Sequence, residues 1–412
     1  MKAWLATLAG LLLWSCVILP TPARAADVPG SDLQISVLTF GPGEIYWERF
    51  GHNAILVRDT RTGSAIAYNY GIFDFNQKNF FLNFARGYMI YRIAADSLSS
   101  DLAMYREAGR SVTEQVLNLT PAQRLNLRHF LRWNARPENA RYRYDYFVSN
   151  CSTRVRDALN SALGGSLQKQ LQPRMAPLGH SYRFEAVRLI SPDLLLGLAM
   201  DIALGPAADR PLTIWQESFV PMVLSQALNT IHTENSQGKA EPLVSSETTL
   251  LAGRLPAAPK QPPQLLGLFL IIGLGFAASL LILGDNRYKA VRLAFTLLAT
   301  AYALFCGIGG LILAALWGLT QHWGGWYNEN LLLLNPLILF LIPSWIAHVH
   351  GRPASGFARW LSALIALLAM GGLLLHLLPG CYQDNLHWIA LLLPIHLALT
   401  LNLFRRRARA LG

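Results

Sequence analysis

The chain of 412 residues has few charged side chains and few cysteines: Lys, Arg, Asp and Glu make up 14% of it, and four residues are cysteine. So little charge, combined with a positive mean hydropathy, excludes an ordinary soluble domain. The sequence has no Walker motif, no GxGxxG fingerprint and no Cys/His cluster with metal-ligand spacing. We therefore expect neither a cofactor nor a metal. The net charge of +11 comes largely from basic clusters beside apolar runs, so we expect no nucleic-acid binding.

Cysteine is rare enough that each position can be considered separately. Cys16 lies in an apolar N-terminal segment, Cys306 lies within a long apolar run, and Cys381 lies near the C-terminus. Cys151 is therefore the one cysteine of the long region between the apolar N-terminus and the apolar C-terminal part. A lone thiol outside the cytoplasm is a candidate reactive group. A disulfide between Cys151 and Cys381 is the structural alternative.

Residues 1–25 have the features of a secretory signal. Lys2 supplies the positive start, an apolar segment follows, and Ala23-Arg24-Ala25 is a cleavage site. We expect cleavage after Ala25, with an uncleaved anchor as the alternative. In both cases the following region leaves the cytoplasm.

Four prolines in residues 253–264 predict a linker between a globular region, 26–252, and a membrane domain, 265–404. Five spans are predicted at 265–283, 291–316, 331–346, 360–378 and 386–404. Lys and Arg follow the first, third and fifth spans, whereas the loops after the second and fourth contain neither. This alternation predicts a multi-pass membrane protein. The globular region then lies outside the cytoplasm, and the basic tail, 405–412, is cytoplasmic.

An aromatic run leads directly into Cys151. Val155 and Leu159 follow at helical spacing, with Ser152 or Thr153 as the expected N-cap. Cys151 is thus predicted at a helix N-terminus, where the helix dipole and free N–H groups favour a thiolate.

His52 begins a strand-like segment after Gly51. A histidine on a strand facing a cysteine at a helix start is the Cys–His arrangement of papain-like sites. Here the histidine precedes the cysteine, which is the permuted order of lecithin retinol acyltransferase-like α+β folds. Each residue alone fits a core position, but the polar neighbours Asn150 and Ser152 favour a catalytic pair.

A third residue is needed to orient His52, and we expect it on the neighbouring strand. Asn69 is the first candidate and Asp74 the second, although Asn69 alternatively closes a turn before Gly71. His180 follows Cys151 too closely to replace His52 in the unpermuted order.

Other patterns predict the surroundings of this pair. Strands are expected at 33–38, 54–57 and 64–70, and helices at 97–106 and 121–133. Apolar helices at 194–204 and 215–231 are assigned to the core in preference to the membrane surface.

These stretches resemble the periplasmic domain of the Lnb-type bacterial lipoprotein N-acyltransferases. The matching residues are Phe50-Gly51-His52-Asn53, Asn69 to Phe75, Gly109-Arg110, Asn118-Leu119-Thr120 and Tyr144 to Asp157, around Asn150-Cys151-Ser152-Thr153-Arg154. The resemblance implies a Cys–His site at Cys151 and His52. It also implies a phospholipid acyl donor and a diacylglyceryl-cysteine lipoprotein acceptor. The location it implies is the bacterial inner membrane, with the globular region in the periplasm.

We therefore expect an acyltransferase that forms a Cys151 thioester and then acylates the N-terminal amine of lipoproteins. We expect substrate contacts from Asn150, Tyr70, Asp74 and Arg154, and from Glu329 on the outer side of the membrane domain, where it faces a headgroup or an amine. Two alternatives remain open. One is a cell-envelope cysteine peptidase or amidase, and the other is a non-enzymatic sensor or scaffold. The sequence makes no prediction about oligomeric state.

Overall fold

The computed structural model describes residues 28–73, 77–378, 380 and 383–411. The predicted signal segment, 1–25, lies outside these residues. Asp74 and Cys381 lie outside them as well. The alternative of a disulfide between Cys151 and Cys381 therefore also involves a residue outside the described part of the chain. Cys151 and Cys306 are free thiols.

A seven-stranded antiparallel sheet forms the centre of the N-terminal domain. Its strands are β1 Leu33–Phe40, β2 His52–Asp59, β3 Ala65–Ile72, β4 Ile90–Ser97, β5 Val112–Leu117, β6 Arg141–Arg143 and β9 Val244–Leu251. They are arranged in the order β6-β4-β3-β2-β1-β5-β9. A separate hairpin pairs β7 His232–Glu234 with β8 Ala240–Pro242. The three predicted strands are confirmed, whereas β4, β5, β6 and β9 have no counterpart among the predictions.

Nine α-helices of this domain lie between the strands in the described part of the chain. They are α1 Phe80–Arg86, α2 Leu98–Glu107, α3 Pro121–Asn134, α4 Cys151–Ala162, α5 Ser166–Leu171, α6 Tyr182–Ile190, α7 Leu194–Ala203, α8 Ile214–Glu217 and α9 Pro221–Leu228. The predicted helices at 97–106 and 121–133 are confirmed as α2 and α3. The predicted helix at 215–231 is two helices, because Pro221 has no N–H and begins a new one.

Successive side chains of a strand point to opposite faces of the sheet, and apolar side chains are buried on both faces. On one face Ile35 and Ile55 pack with Val155 and Leu159 of α4, and α3 and α9 complete this layer. The opposite face is covered by α2, whose Tyr105 joins a second apolar cluster formed by Leu38, Phe40, Ala54, Leu56, Ala67 and Val112. Burial on both faces fixes the position of α4 and α2 relative to β2 and β3.

Helix α7 lies at the boundary with the membrane domain, so the prediction of a core location was wrong. Leu194 and Leu195 are 56% and 79% exposed, whereas Leu198 and Ile202 pack against the membrane helices. A helix whose side chains are apolar apart from Asp201 suits this position, because one face contacts protein and the other can face lipid.

Five segments are long and apolar enough to cross a membrane. They are α10 Leu266–Gly284, α11 Lys289–Leu319, the segment Glu329–Val349, α13 Gly356–Leu375 and α14 Leu386–Leu411, of which Leu386–Arg405 is the span. The third segment is two 3-10 turns followed by α12 Ile342–Val349, because Pro336 and Pro343 interrupt regular helical hydrogen bonding. The α+β domain followed by five membrane helices confirms the predicted architecture.

The two domains meet through a buried charged cluster. Arg183 of α6 is paired with Asp201 and Asp209, and Asp201 also accepts hydrogen bonds from His387 Nε2 and Trp388 Nε1 at 2.6 and 2.7 Å. His387 and Trp388 lie in the first turn of α14. Shared hydrogen bonds of buried charges hold the start of α14 in the membrane domain against the sheet domain.

Candidate active site

Cys151 is the first residue of α4, and Asn150 is its N-cap. Asn150 Oδ1 accepts the Thr153 N–H at 2.9 Å, and Thr153 Oγ1 accepts the Asn150 N–H at 2.8 Å. This capping box places the cap one residue before the thiol, so the predicted caps Ser152 and Thr153 were wrong. Ser152 is instead buried and donates to the Ser218 carbonyl at 2.7 Å.

Gly71 allows strand β3 to approach the thiol closely. Its φ is +90°, and a Cβ at this position would lie 3.4 Å from the Cβ of Cys151. The pairing of β3 with β4 is irregular between Asn69 and Ile72, so β3 diverges at this point. Glycine is favoured here by the left-handed backbone, and a Cβ would make only an ordinary van der Waals contact with Cys151.

Backbone N–H groups act on the Cys151 thiol from within and beside the first turn of α4. Asn53, Cys151 and Ser152 supply them, and each lowers the pKa of the thiol. Burial is the larger effect and raises that pKa above its ordinary value. The pKa of the thiol is thus shifted in the direction opposite to that expected from the helix N-terminus alone, because loss of hydration outweighs the N–H groups. The same N–H groups are suited to stabilise negative charge on an oxyanion formed at this position.

His52 begins β2, next to the amide of Asn53 that contacts the sulfur. Its Nε2 lies 3.0 Å from Asn69 Oδ1, and Asn69 Nδ2 donates to Asp101 Oδ2 at 3.0 Å. Because the side-chain Nδ2 of Asn69 donates to Asp101, its Oδ1 is the atom that faces the imidazole. This arrangement holds the proton on Nε2 and leaves Nδ1 as the basic nitrogen of His52.

Burial lowers the pKa of His52 from 6.5 to about 4, although the hydrogen bond to Asn69 acts in the opposite direction. The imidazole is therefore neutral at neutral pH, as the thiol is. Because both groups are neutral, any proton transfer from the thiol to the imidazole would have to occur during attack, as in general-base catalysis.

Arg110 is a site residue that the sequence reasoning missed. It is 5% exposed, donates from Nε to the Gly41 carbonyl at 2.8 Å, and lies over the Tyr105 ring at 4.6 Å. Its Nη2 is buried and has no hydrogen-bond partner. Its positive charge lowers the pKa of both His52 and Cys151. The one signal that pointed to it was its place in the Gly109-Arg110 stretch.

Comparison with known families decides the affiliation of the chain. Residues 21–189 match the Lnb N-terminal periplasmic domain, and residues 261–407 match the Lnb transmembrane domain. The chain belongs to the Lnb-type family. No curated protein and no solved structure matches it.

Membership in the Lnb-type family identifies a membrane protein with a periplasmic N-terminal domain. The first matched segment contains the whole candidate site, Cys151, His52, Asn69, Asp101 and Arg110. The thiol, the imidazole and its hydrogen-bonded partners thus all lie within the segment of this chain that matches the periplasmic domain.

Three residues expected to contact substrate have other partners in this Lnb-type structure. Asn150 Nδ2 donates to the carbonyls of Tyr146 and Phe219, both at 2.9 Å, so its amide is fully used. Tyr70 is buried, and its hydroxyl donates to Asn134 Oδ1 at 2.8 Å. The Arg154 guanidinium lies 4.4 Å from the centre of the Tyr142 ring. These contacts assign Asn150 and Tyr70 to the support of the site.

Glu329 lies in the domain interface rather than beside Cys151. Its N–H donates to Gln383 Oε1 at 2.7 Å, and Asp209 and His376 are near its carboxylate. Its carboxylate oxygen Oε2 is buried without a hydrogen-bond partner. Asp74 lies outside the described residues.

His180 forms a second cluster with Glu185 and Glu217, away from the thiol. His180 Nδ1 lies 2.5 Å from Glu217 Oε1 and 3.8 Å from Glu185 Oε1. These three residues are spaced to hold a metal ion, but Arg188 already binds Glu185 through two nitrogens. His180 is therefore an interaction partner of carboxylates and not of Cys151.

Proposed function

We propose that this protein is a membrane-bound thiol acyltransferase. It moves an acyl chain from a phospholipid to Cys151 and then to the N-terminal amine of a diacylglyceryl-cysteine lipoprotein. The supporting observation is a buried thiol on which the backbone N–H groups of Asn53, Cys151 and Ser152 act, together with the imidazole of His52, the residue before Asn53, whose Nδ1 is left free because Nε2 is bonded to Asn69. The role assigned to the Lnb-type family by resemblance agrees with this chemistry.

In the first step Sγ of Cys151 attacks the ester carbonyl while His52 Nδ1 takes the thiol proton. Negative charge develops on the carbonyl oxygen, where the N–H groups of Asn53, Cys151 and Ser152 stabilise it. The intermediate then collapses, the ester C–O bond breaks, and His52 returns its proton to the leaving lysophospholipid. The products are a Cys151 thioester and a neutral imidazole.

In the second step the lipoprotein amine attacks the thioester carbonyl. A free α-amine has a pKa of about 8, so part of it is neutral at physiological pH. His52 accepts the amine proton and then delivers it to the departing sulfur of Cys151. An amide forms, the C–S bond breaks, and the enzyme returns to its starting state.

Water competes with the amine for the thioester, so the site must exclude it. Tyr144 borders Gly71 beside the thiol, and its ring stacks on that of Tyr91 with centroids 4.2 Å apart. An aromatic wall next to a buried thiol favours transfer to an amine over hydrolysis. It also favours a lipid-derived acyl group over a peptide substrate.

Mass spectrometry of lipoprotein N-termini tests the proposal in cells with and without this protein. We expect the N-acyl group to depend on wild-type protein and to be missing when Cys151→Ala is expressed at the same level. Unchanged N-termini together with altered peptidoglycan stem peptides would support an envelope peptidase or amidase instead. Full N-acylation by Cys151→Ala would contradict the thioester mechanism.

A further inference from the structure

Helix α1 presents large apolar side chains to the outside. None of its seven residues is buried, and Phe81, Leu82 and Phe84 are 77%, 48% and 36% exposed. Lys78, Arg86 and Arg143 are exposed around it. The segment from residue 77 to residue 93 has no Asp or Glu. A contiguous apolar face with a basic rim marks a binding surface, and this composition suits a bilayer with anionic headgroups.

The depth of α1 is determined by its contacts with the membrane domain. The Gln321 N–H donates to the Arg86 carbonyl at 2.8 Å, and His322 Nε2 lies 3.1 Å from the Phe84 carbonyl oxygen. Gln321 follows α11, whose 31 residues span about 46 Å and exceed a hydrocarbon core of about 30 Å. The end of α11 therefore reaches the boundary between lipid and water.

Aromatic residues mark the same boundary. Trp317 and Tyr327 flank the loop after α11, are 42% and 65% exposed, and have ring centroids 5.0 Å apart. Tryptophan and tyrosine at the ends of spans are typical of the membrane interface. Helix α1, which is hydrogen-bonded to this loop, thus lies at the level of the headgroups and the first part of the acyl chains.

A series of rings leads from this boundary to the thiol. His322 stacks on Tyr146 with centroids 6.1 Å apart, and Tyr146 meets Tyr144 edge to face at 5.8 Å. Tyr144 lies beside Gly71, 4.0 Å from its Cβ position, and that position is 3.4 Å from the Cβ of Cys151. Tyr146 is 40% exposed, so the series is open to the outside at the α1 end.

We propose that α1 inserts its apolar face into the leaflet next to the periplasmic domain. The path over Tyr146 and Tyr144 then carries one acyl chain of a glycerophospholipid from that leaflet to Cys151. The occupant is a lipid because the surface lies at bilayer depth and has basic residues where phosphates would lie. The acyl-chain path rests on the proposed function, whereas the insertion of α1 into the leaflet is independent of it.

Insertion is tested with full-length protein in vesicles of palmitoyl-oleoyl phosphatidylethanolamine and phosphatidylglycerol. A photoreactive benzoylphenylalanine replaces Phe81 or, as the matched control, Phe130 of α3, an aromatic residue that is 41% exposed. We expect lipid adducts at position 81 and few at position 130. Equal yields at the two positions, or none at position 81, would overturn the insertion of α1.

The path is tested by acylation of Cys151 without an acceptor. With the vesicle lipid, we expect the double variant Phe81→Ser, Phe84→Ser to acylate Cys151 about tenfold or more slowly than wild type. This is the size of effect expected when aromatic side chains no longer bury themselves in the bilayer. It should keep the wild-type rate with dihexanoyl phosphatidylcholine in micelles, which reaches the thiol without a bilayer. Phe81→Leu should retain both rates, and Phe130→Ser is the control.

An equal loss of acylation rate with both lipids would show that the substitutions damage the site. Unchanged acylation rates with both lipids would show that no such path is used. Either result overturns the proposal. If wild-type protein is acylated by neither lipid, the proposed function itself fails and the acyl path fails with it. The adducts at position 81 then still decide whether α1 enters the bilayer.

Discussion

Trp323, in the loop after α11, donates a hydrogen bond from Nε1 to Asp145 Oδ2 at 2.7 Å. Asp145 also accepts the N–H groups of Phe147 and Val148 through Oδ1, six residues before the nucleophile. The Trp323 ring further packs against Phe147 with centroids 5.6 Å apart. The membrane domain thereby contacts the segment that leads into Cys151, so we expect it to influence the site.

Trp323→Phe removes this hydrogen bond and keeps most of the ring. We expect a loss of about 1 kcal/mol of local stability and a severalfold slower acylation of Cys151. Trp326→Phe is the matched control, because Trp326 Nε1 donates to the Thr320 carbonyl within the same loop. Rates of thioester formation in vesicles measure the effect. Equal rates for Trp323→Phe and wild type would show that this contact only tethers the domain.

The ionisation of the thiol predicts a specific pH dependence. The pKa of Cys151 is raised by burial and that of His52 is lowered to about 4, so both groups are neutral near pH 7. The thiolate fraction should then rise about tenfold per pH unit through the neutral range. We expect the rate of alkylation of Cys151 by iodoacetamide, followed by peptide mass spectrometry, to rise in the same way.

Lys239→Cys supplies the control for alkylation, because residue 239 is exposed on the β7–β8 hairpin. Its thiol should titrate near the ordinary value of about 8.5. A plateau of Cys151 reactivity between about pH 5 and 7 that disappears in His52→Ala would reveal a preformed ion pair. That result would contradict the neutral pair described here.

Asn69→Ala removes the acceptor that holds the Nε2–H tautomer of His52. We expect acylation to fall by about a hundredfold, the lower range for loss of positioned acid–base catalysis, while the fold remains intact. Asn118→Ala is the matched control, since its amide donates to the Pro242 carbonyl away from the thiol. Single-turnover rates measure the loss of acylation, and thermal unfolding measures any loss of stability. A wild-type rate for Asn69→Ala would remove it from the site.

The distribution of basic residues predicts that the C-terminal tail is cytoplasmic and the Cys151 domain is periplasmic. An odd number of spans requires these opposite locations. Alkaline phosphatase and green fluorescent protein fusions after Arg409 and within residues 253–264 measure them. We expect phosphatase activity at the linker and fluorescence at the tail. Identical signals at both positions would refute five crossings.

The sequence identifies the parts of the site that have local patterns. His52 and Cys151 are recognisable because each begins a periodic element and has small or polar neighbours. Asn69 is recognisable from its strand, and the structure places it 3.0 Å from His52 Nε2. The five spans are recognisable because each is an apolar run of about the length needed to cross a bilayer.

The remaining site residues depend on packing that no local pattern encodes. Asp101 lies in an ordinary amphipathic helix, and only the packing of α2 on the sheet brings it to Asn69. Arg110 is an isolated arginine whose guanidinium reaches the site from the start of β5. The polar side chain of Asn150 caps the helix that begins at Cys151. A sequence motif does not distinguish a capping asparagine from one that binds substrate. The ionisation of the thiol depends on its burial, which is a tertiary property.

The central claim is that Cys151 carries the acyl group. Intact-protein mass spectrometry after incubation with phospholipid vesicles and no acceptor tests it most directly. We predict one hydroxylamine-sensitive acyl group on Cys151 of wild type, little on His52→Ala and none on Cys151→Ala. Addition of a diacylglyceryl-cysteine peptide should remove it and yield the N-acylated peptide. Formation of that product by Cys151→Ala, or without any acyl group on Cys151, would contradict the account.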